Sequence, residues 1–236
     1  MLVGHYAVGF LGKQLAPRVP LPALVAAAMF PDLLTFLLQL AGIEHAGVTP
    51  GFPRYFGLNA HDHAISHSLA MDAVWAIAFA IVYFTWRSDT RGATTLAAAV
   101  LSHWLLDVIT HRPDMPVAPL VDVKLGLTLW DSVIATLVVE GGLWALAIGV
   151  YVRATQPTAA AGKYGLWLLV GTLTMWFVVT PFAPQPAGDF TPFSLTLLLI
   201  VHAVAVSVAY GVDRNRACRS WPPQELGTTL GDRSIA

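Results

Sequence analysis

Apolar runs of about 20 residues, separated by short polar or proline-bearing joints, recur along the chain and set its architecture. They cover residues 21–42, 66–86, 93–111, 127–152, 165–183 and 191–212. Each is long enough to cross the hydrocarbon layer as a helix. A shorter amphipathic piece, residues 2–16, precedes them and is apolar until Lys13. Residues 43–65 form a joint rich in Gly, Pro and His, and residues 112–126 form another with three prolines. The pattern predicts an all-α integral membrane helical bundle of six transmembrane helices plus an N-terminal half-helix. It assigns residues 1–212 to the membrane-embedded domain and 213–236 to a polar, disordered cytoplasmic tail. No internal repeat and no second domain is visible.

The positions of Lys and Arg orient the bundle, because cytoplasmic loops are enriched in them. Lys13, Arg18, Arg87, Arg91, Arg153, Lys163, Arg214, Arg216 and Arg219 all fall on one side if there are six spans. The opposite joints hold only Arg54, Arg112 and Lys124. The expected topology has both termini in the cytoplasm. The N-terminal stretch lacks the charged start and cleavage site of a signal peptide, so it is read as part of the mature protein.

Composition narrows the chemistry. Charged residues make up 11% of the chain and hydrophobic ones 56%, against about 25% charged in soluble domains. A formal net charge of −1 gives no footprint for nucleic acid. The single cysteine, Cys218, lies in the polar tail. Disulfides and thiolate metal sites are therefore excluded, and any metal must be held by His, Asp and Glu.

Ionisable residues inside spans are costly and mark function by default. Asp32 sits in the first span beside Pro31, whose missing N–H permits a kink. His63 and His67 stand at the start of the second span, and His103, Asp107 and His111 run along the third at four-residue spacing. That spacing puts side chains on one helix face, so these residues are expected to form two stripes. Asp131 and Glu140 fall in the fourth span, His202 in the sixth, and His5 in the amphipathic piece. Counted from the basic ends at ~1.5 Å per residue, Asp32 and His103 lie near the midplane. His5 reaches that depth only if residues 2–16 enter the membrane as a half-helix.

Imidazole and carboxylate are natural ligands for zinc, and catalytic sites keep one position open for water that becomes a nucleophile near neutral pH. His111, beside Arg112 and Asp114, fits either a ligand or a surface ion-pair cluster. His202 fits a hydrogen-bonded core residue. Asp131 and Glu140 fit supporting hydrogen-bonding roles or direct metal contact.

The segments "GHYAVGF", "FPDLL", "SHSL" and "LSHWLLDVITHRPD" resemble the YdjM-type bacterial inner-membrane proteins, described as predicted metal-dependent hydrolases. The resemblance covers roughly residues 1–130. It implies His5, Asp32, His67, His103 and Asp107 as metal ligands, and a distant similarity to zinc-dependent phospholipase C, where a His-x3-Asp pair on a helix binds zinc. Family members often carry Arg four residues before the second-span His, where this chain has His63. That change suggests an extra ligand or a lost phosphate-binding charge.

These readings lead to an integral-membrane, metal-dependent hydrolase of the bacterial inner membrane, acting on a phosphoester of a lipid or membrane-associated substrate. A divalent metal, zinc first, is the expected cofactor, held by His5, Asp32, His67, His103 and Asp107 with His63 and His111 as further ligands. Asp107 or Glu140 is the expected general base. The alternative is a proton- or divalent-metal-linked transporter using the same stripe, although no repeat supports it. A non-catalytic scaffold would pair the buried acids with Lys or Arg, which the spans almost lack.

Overall fold

The computed structural model describes residues 1–51, 53–185 and 187–219. In chain order the helices are α1 (Val3–Leu15), α2 (Leu21–Ala28), α3 (Phe30–Leu40), α4 (Ala64–His67), α5 (Leu69–Arg87), α6 (Thr90–Thr110), α7 (Val133–Ala154), α8 (Ala160–Val179) and α9 (Pro192–Arg214). Short strands join them: β1 (His45–Val48), β2 (Leu58–Asp62), β3 (Met115–Pro116), β4 (Lys124–Leu125), β5 (Thr155–Pro157), β6 (Gly188–Asp189) and β7 (Arg216–Cys218). Among the described residues, five helices, α5 to α9, are individually long and apolar enough to cross a membrane. The bent pair α2–α3 makes a sixth crossing if taken as one span. The protein is therefore an all-α membrane bundle.

Local chemistry sets the helix ends. Ser68, Asp89, Ser132 and Thr191 each accept a hydrogen bond from a first-turn backbone N–H, capping α5, α6, α7 and α9. The expected single span over 21–42 is broken at Met29, and its halves meet at 58°. Pro31 has no N–H to return to Ala27, so the ladder fails there. The helix of the expected third span, α6, stops at Thr110, and His111 adopts an extended backbone. Pro113 follows and disfavours continued helix. The expected three-turn stripe therefore ends at Asp107.

Two further expectations change. His63 and His67 do form a short stripe, with the His67 N–H bonded to the His63 carbonyl and the rings 5.5 Å apart, but on the single turn α4, which a break at Ser68 separates from the long helix α5. Asp131 lies in a 3₁₀ turn, Leu129–Asp131, before α7 and pairs with Arg112 at 3.4 Å. The first residues of the expected tail are ordered, with β7 pairing antiparallel to β5. Residues 220–236 of that tail lie outside the described residues.

The bundle is apolar on its outer face, as a bilayer requires. Ile77 and Val82 on α5, Ile134 and Val138 on α7, and Leu168 and Met175 on α8 are all exposed. The half-helix α1 is buried in the centre, where Tyr6 and Phe10 pack with Trp144, Tyr151, Leu166 and Leu169. Gly9 permits this: a Cβ there would stand 2.9 Å from the Val25 Cα. At its basic end α1 is fastened by Lys13, which donates to the Val19 carbonyl at 3.0 Å and pairs with Asp213 at 2.7 Å. At the opposite end, β1 pairs antiparallel with both β2 and β6. This small sheet, formed from the joint 43–65 and the segment after α8, roofs the bundle. Tyr55 ties it down through its backbone N–H to Trp130 O and its hydroxyl to Phe177 O.

Candidate metal centre

Under the sheet, five side chains from four separate elements converge. α1 brings His5, α3 brings Asp32, α4 brings His67, and α6 brings His103 and Asp107. His103 Nε2 lies 3.3 Å from Asp107 Oδ2, 3.3 Å from His67 Nε2 and 3.6 Å from Asp32 Oδ1. His67 Nε2 lies 3.4 Å from Asp32 Oδ1. On the other side, His5 Nε2 lies 3.0 Å from Asp107 Oδ1, and the His5 ring stacks on His103 at 3.7 Å. Two ligand groups result, His5–His103–Asp107 and Asp32–His67–His103, each with its donor atoms within 4.8 Å of one another.

The fold prepares these donors. The break between α2 and α3 leaves the Ala28 carbonyl free, and His103 Nδ1 bonds to it at 2.8 Å. A carbonyl only accepts, so Nδ1 carries the proton and Nε2 presents its lone pair to the cluster. The same break puts Asp32 in the first turn of α3, where the positive end of the helix favours a carboxylate. His67 is held differently. Its Nδ1 lies 2.7 Å from Ser66 Oγ, which donates to Glu44 Oε2 at 2.6 Å. Because the Ser66 proton goes to Glu44, Nδ1 of His67 donates to Ser66, and Nε2 again is the free lone pair.

Glu44 is fully buried and receives four donors: the N–H groups of Ile65 and Ser66 and the hydroxyls of Thr35 and Ser66. Sequence reasoning passed over Glu44, Ser66 and Thr35, as well as Asp72. Asp72 is buried on α5 and accepts the Trp104 N–H of α6 at 3.2 Å. An acid inside an apolar span was the available signal for Asp72. Glu44 gave none, because it lies in a joint.

The remaining candidates stand apart from the two ligand groups. Glu140 accepts the Gly4 N–H at 3.0 Å and so caps the buried start of α1. His111 pairs with Asp114 at 3.1 Å and packs against Trp130. The His63 ring lies 5.5 Å from that of His67, and neither of its nitrogens has a partner among the described residues. Burial, with the His67 and His111 imidazoles and Lys124 nearby, lowers its pKa to about 2 and keeps it neutral. His202 donates to the Leu198 carbonyl at 2.7 Å within α9.

The donor set fits a divalent ion. Two imidazoles have their lone pairs fixed inward, and two carboxylates face them. The Met1 amino group donates to Asp107 Oδ1 and lies 2.8 Å from His5 Nε2. One imidazole lone pair serves one ion, so His103 completes only one group at a time. Asp107 directs an oxygen to each side and is the residue able to serve both. The cluster opens into a cavity of about 510 Å³ whose other walls are largely apolar, including Phe36, Phe56, Leu58, Leu197 and Leu198.

The model of the YdjM inner membrane protein family matches residues 1–187. No curated protein and no solved structure matches the chain. The chain belongs to the YdjM inner membrane protein family.

Proposed function

We infer that this member of the YdjM inner membrane protein family is a metal-dependent hydrolase acting on a phosphoester of a lipid or membrane-associated substrate. The observation that carries the reading is the pair of inward lone pairs on His67 and His103 facing Asp32 and Asp107 within one cavity. His67, His103, Asp32 and Asp107 would hold the ion, with His5 as the further ligand beside Asp107. A bound divalent ion, zinc by ligand type, supplies Lewis-acid activation of water and of a phosphoryl oxygen.

The chain's own residues supply orientation and proton handling. Asp107, touching His5, His67 and His103, is placed to take a proton from a water in the cavity. Glu44 and Ser66 hold His67 in one tautomer. The apolar walls limit bulk water and admit a hydrophobic substrate.

Access favours hydrolysis over transport. Among the described residues, the region between His103 and the basic end is filled by Phe10, Leu24, Leu96, Ala99 and Val100. A transporter would have to open this apolar packing to reach the other side. The expected orientation, with the basic end in the cytoplasm, places the cavity on the outer half.

The test is metal analysis and a phosphoester and lipid substrate screen on protein purified in detergent, with zinc or manganese, against chelator and Asp107→Asn. Metal-stimulated turnover lost in the variant supports the reading. No turnover on any substrate, with metal or proton flux in proteoliposomes, overturns it in favour of the transporter.

A further inference from the structure

A second cavity, of about 920 Å³, runs along α8 to the segment that leads into α9 and is unused by the chemistry above. Its deep end is formed by Trp167, Leu168, Gly171 and Met175. Leu168 and Met175 are 66% and 65% exposed, and in a spanning helix that exposure is contact with lipid. Its other end, under the sheet, carries polar side chains, among them Thr180, Gln185, Asp189, Thr191 and Ser194. Phe56, Trp176, Thr180, Pro184, Phe190 and Ser194 line both this groove and the metal cavity, so the two adjoin there.

We propose that the groove along α8 seats a hydrocarbon chain of a membrane lipid whose polar head lies in the adjoining His/Asp cavity. Three features choose this occupant over a second copy or a peptide. The groove lies within the hydrocarbon layer, where lipid chains are the surrounding solvent. Its polarity runs in the sense of a lipid, polar at the sheet and apolar toward the middle of the bundle. Its length fits as well: from Thr180 to Trp167 is about 20 Å of helix, and one leaflet of the hydrocarbon core is roughly 15 Å deep. Gly171 keeps the groove open, since a Cβ there would meet no atom within 4 Å. The inference rests on the hydrolase reading for its choice of head-group site, but its own test does not require turnover.

The probe is phosphatidylglycerol carrying a diazirine at mid-chain, added in trace to phosphatidylglycerol proteoliposomes of the full chain, photolysed and mapped by peptide mass spectrometry. Label should concentrate on residues 167–176 relative to the equally exposed faces around Ile77 and Val138. Gly171→Trp should fill the groove and bring that label down to the level of the other lipid-facing helices. Gly171→Leu gives the same result more weakly if Trp perturbs folding. Even labelling of all lipid-facing helices, insensitive to Gly171→Trp, overturns the proposal, as does a cross-link through α8 between two copies in place of lipid label. Groove labelling without metal-dependent turnover leaves the groove standing and removes the hydrolase reading. Turnover in which Gly171→Trp treats long-chain and short-chain phosphoesters alike does the reverse.

Discussion

Replacing Glu44 by Gln should weaken metal binding more than deleting the Ser66 hydroxyl that links Glu44 to the site. Glu44 Oε1 receives two backbone N–H groups, from Ile65 at 2.9 Å and Ser66 at 2.8 Å, while Oε2 receives two hydroxyls. Backbone donors cannot turn away, but hydroxyls rotate freely. A Gln amide would therefore keep its oxygen toward the backbone pair and aim its NH2 at Ser66 and Thr35. Ser66 Oγ then accepts from Gln and sends its own proton to His67 Nδ1. That moves the His67 proton onto Nε2 and caps the lone pair an ion would use.

Magnitudes separate this from a merely structural effect. Losing the hydrogen-bond partner of a metal-ligating imidazole costs about 10–100-fold in metal affinity, which sets the expectation for Ser66→Ala. Glu44→Gln reverses the tautomer rather than only releasing it, and should fall at least about tenfold below Ser66→Ala. Both variants should lose roughly 1–3 kcal/mol of stability from disturbed buried hydrogen bonds. Chelator competition on purified protein in detergent, with thermal unfolding alongside, reads both quantities. The tautomer argument is refuted if Glu44→Gln binds metal as well as Ser66→Ala or better, at equal stability.

Three further outcomes are expected. Glu140→Ala leaves the Gly4 N–H without its acceptor in the protein interior, costing about 1–3 kcal/mol in thermal unfolding, whereas Glu140→Gln retains an acceptor and loses less; equal losses would deny the capping role. Gly9→Leu forces α1 away from the Val25 backbone, so it should cost about 1–3 kcal/mol as an overpacked core and also weaken metal binding, because His5 rides on the same helix. Reporter fusions after Arg91 and after Lys163 should read the same compartment, and opposite readings would break the count of crossings.

The bundle was legible because membrane helices announce themselves through long apolar runs, and five of the six expected spans appear as continuous helices within a few residues. His103 and Asp107 were legible for a similar reason: four-residue spacing inside one helix is local geometry. His111 carried the same spacing, yet Pro113 takes the chain out of the helix before the third turn is complete. Asp131 misled in the same way, because the apolar run that contains it begins with a 3₁₀ turn rather than with α7. The β1–β2 hairpin was not foreseen. Its strands, "HAGV" and "LNAHD", are only four and five residues long, too short for their pattern to stand out from a loop, and owe their order to pairing with each other and with β6.

What the sequence hides is the support beneath the ligands. His103 is oriented by a carbonyl 75 positions earlier, and His67 through Ser66 by Glu44, an acid 22 positions before Ser66. Neither contact leaves a spacing to read. Both exist because helices fail at chosen points: the α2–α3 break frees Ala28 O, and the α4–α5 break turns Ser66 and His67 inward beneath Glu44. In hydrocarbon an unpaired backbone group costs several kcal/mol, so a break inside a span persists only where something satisfies it. Here His103 bonds the carbonyl exposed by the first break, and Glu44 accepts two N–H groups of the short turn at the second. The ligand shell and the broken helices therefore stabilise each other. Removing His103 should loosen the α2–α3 joint even in metal-free protein, and faster amide exchange around Asp32 in His103→Ala would register that coupling.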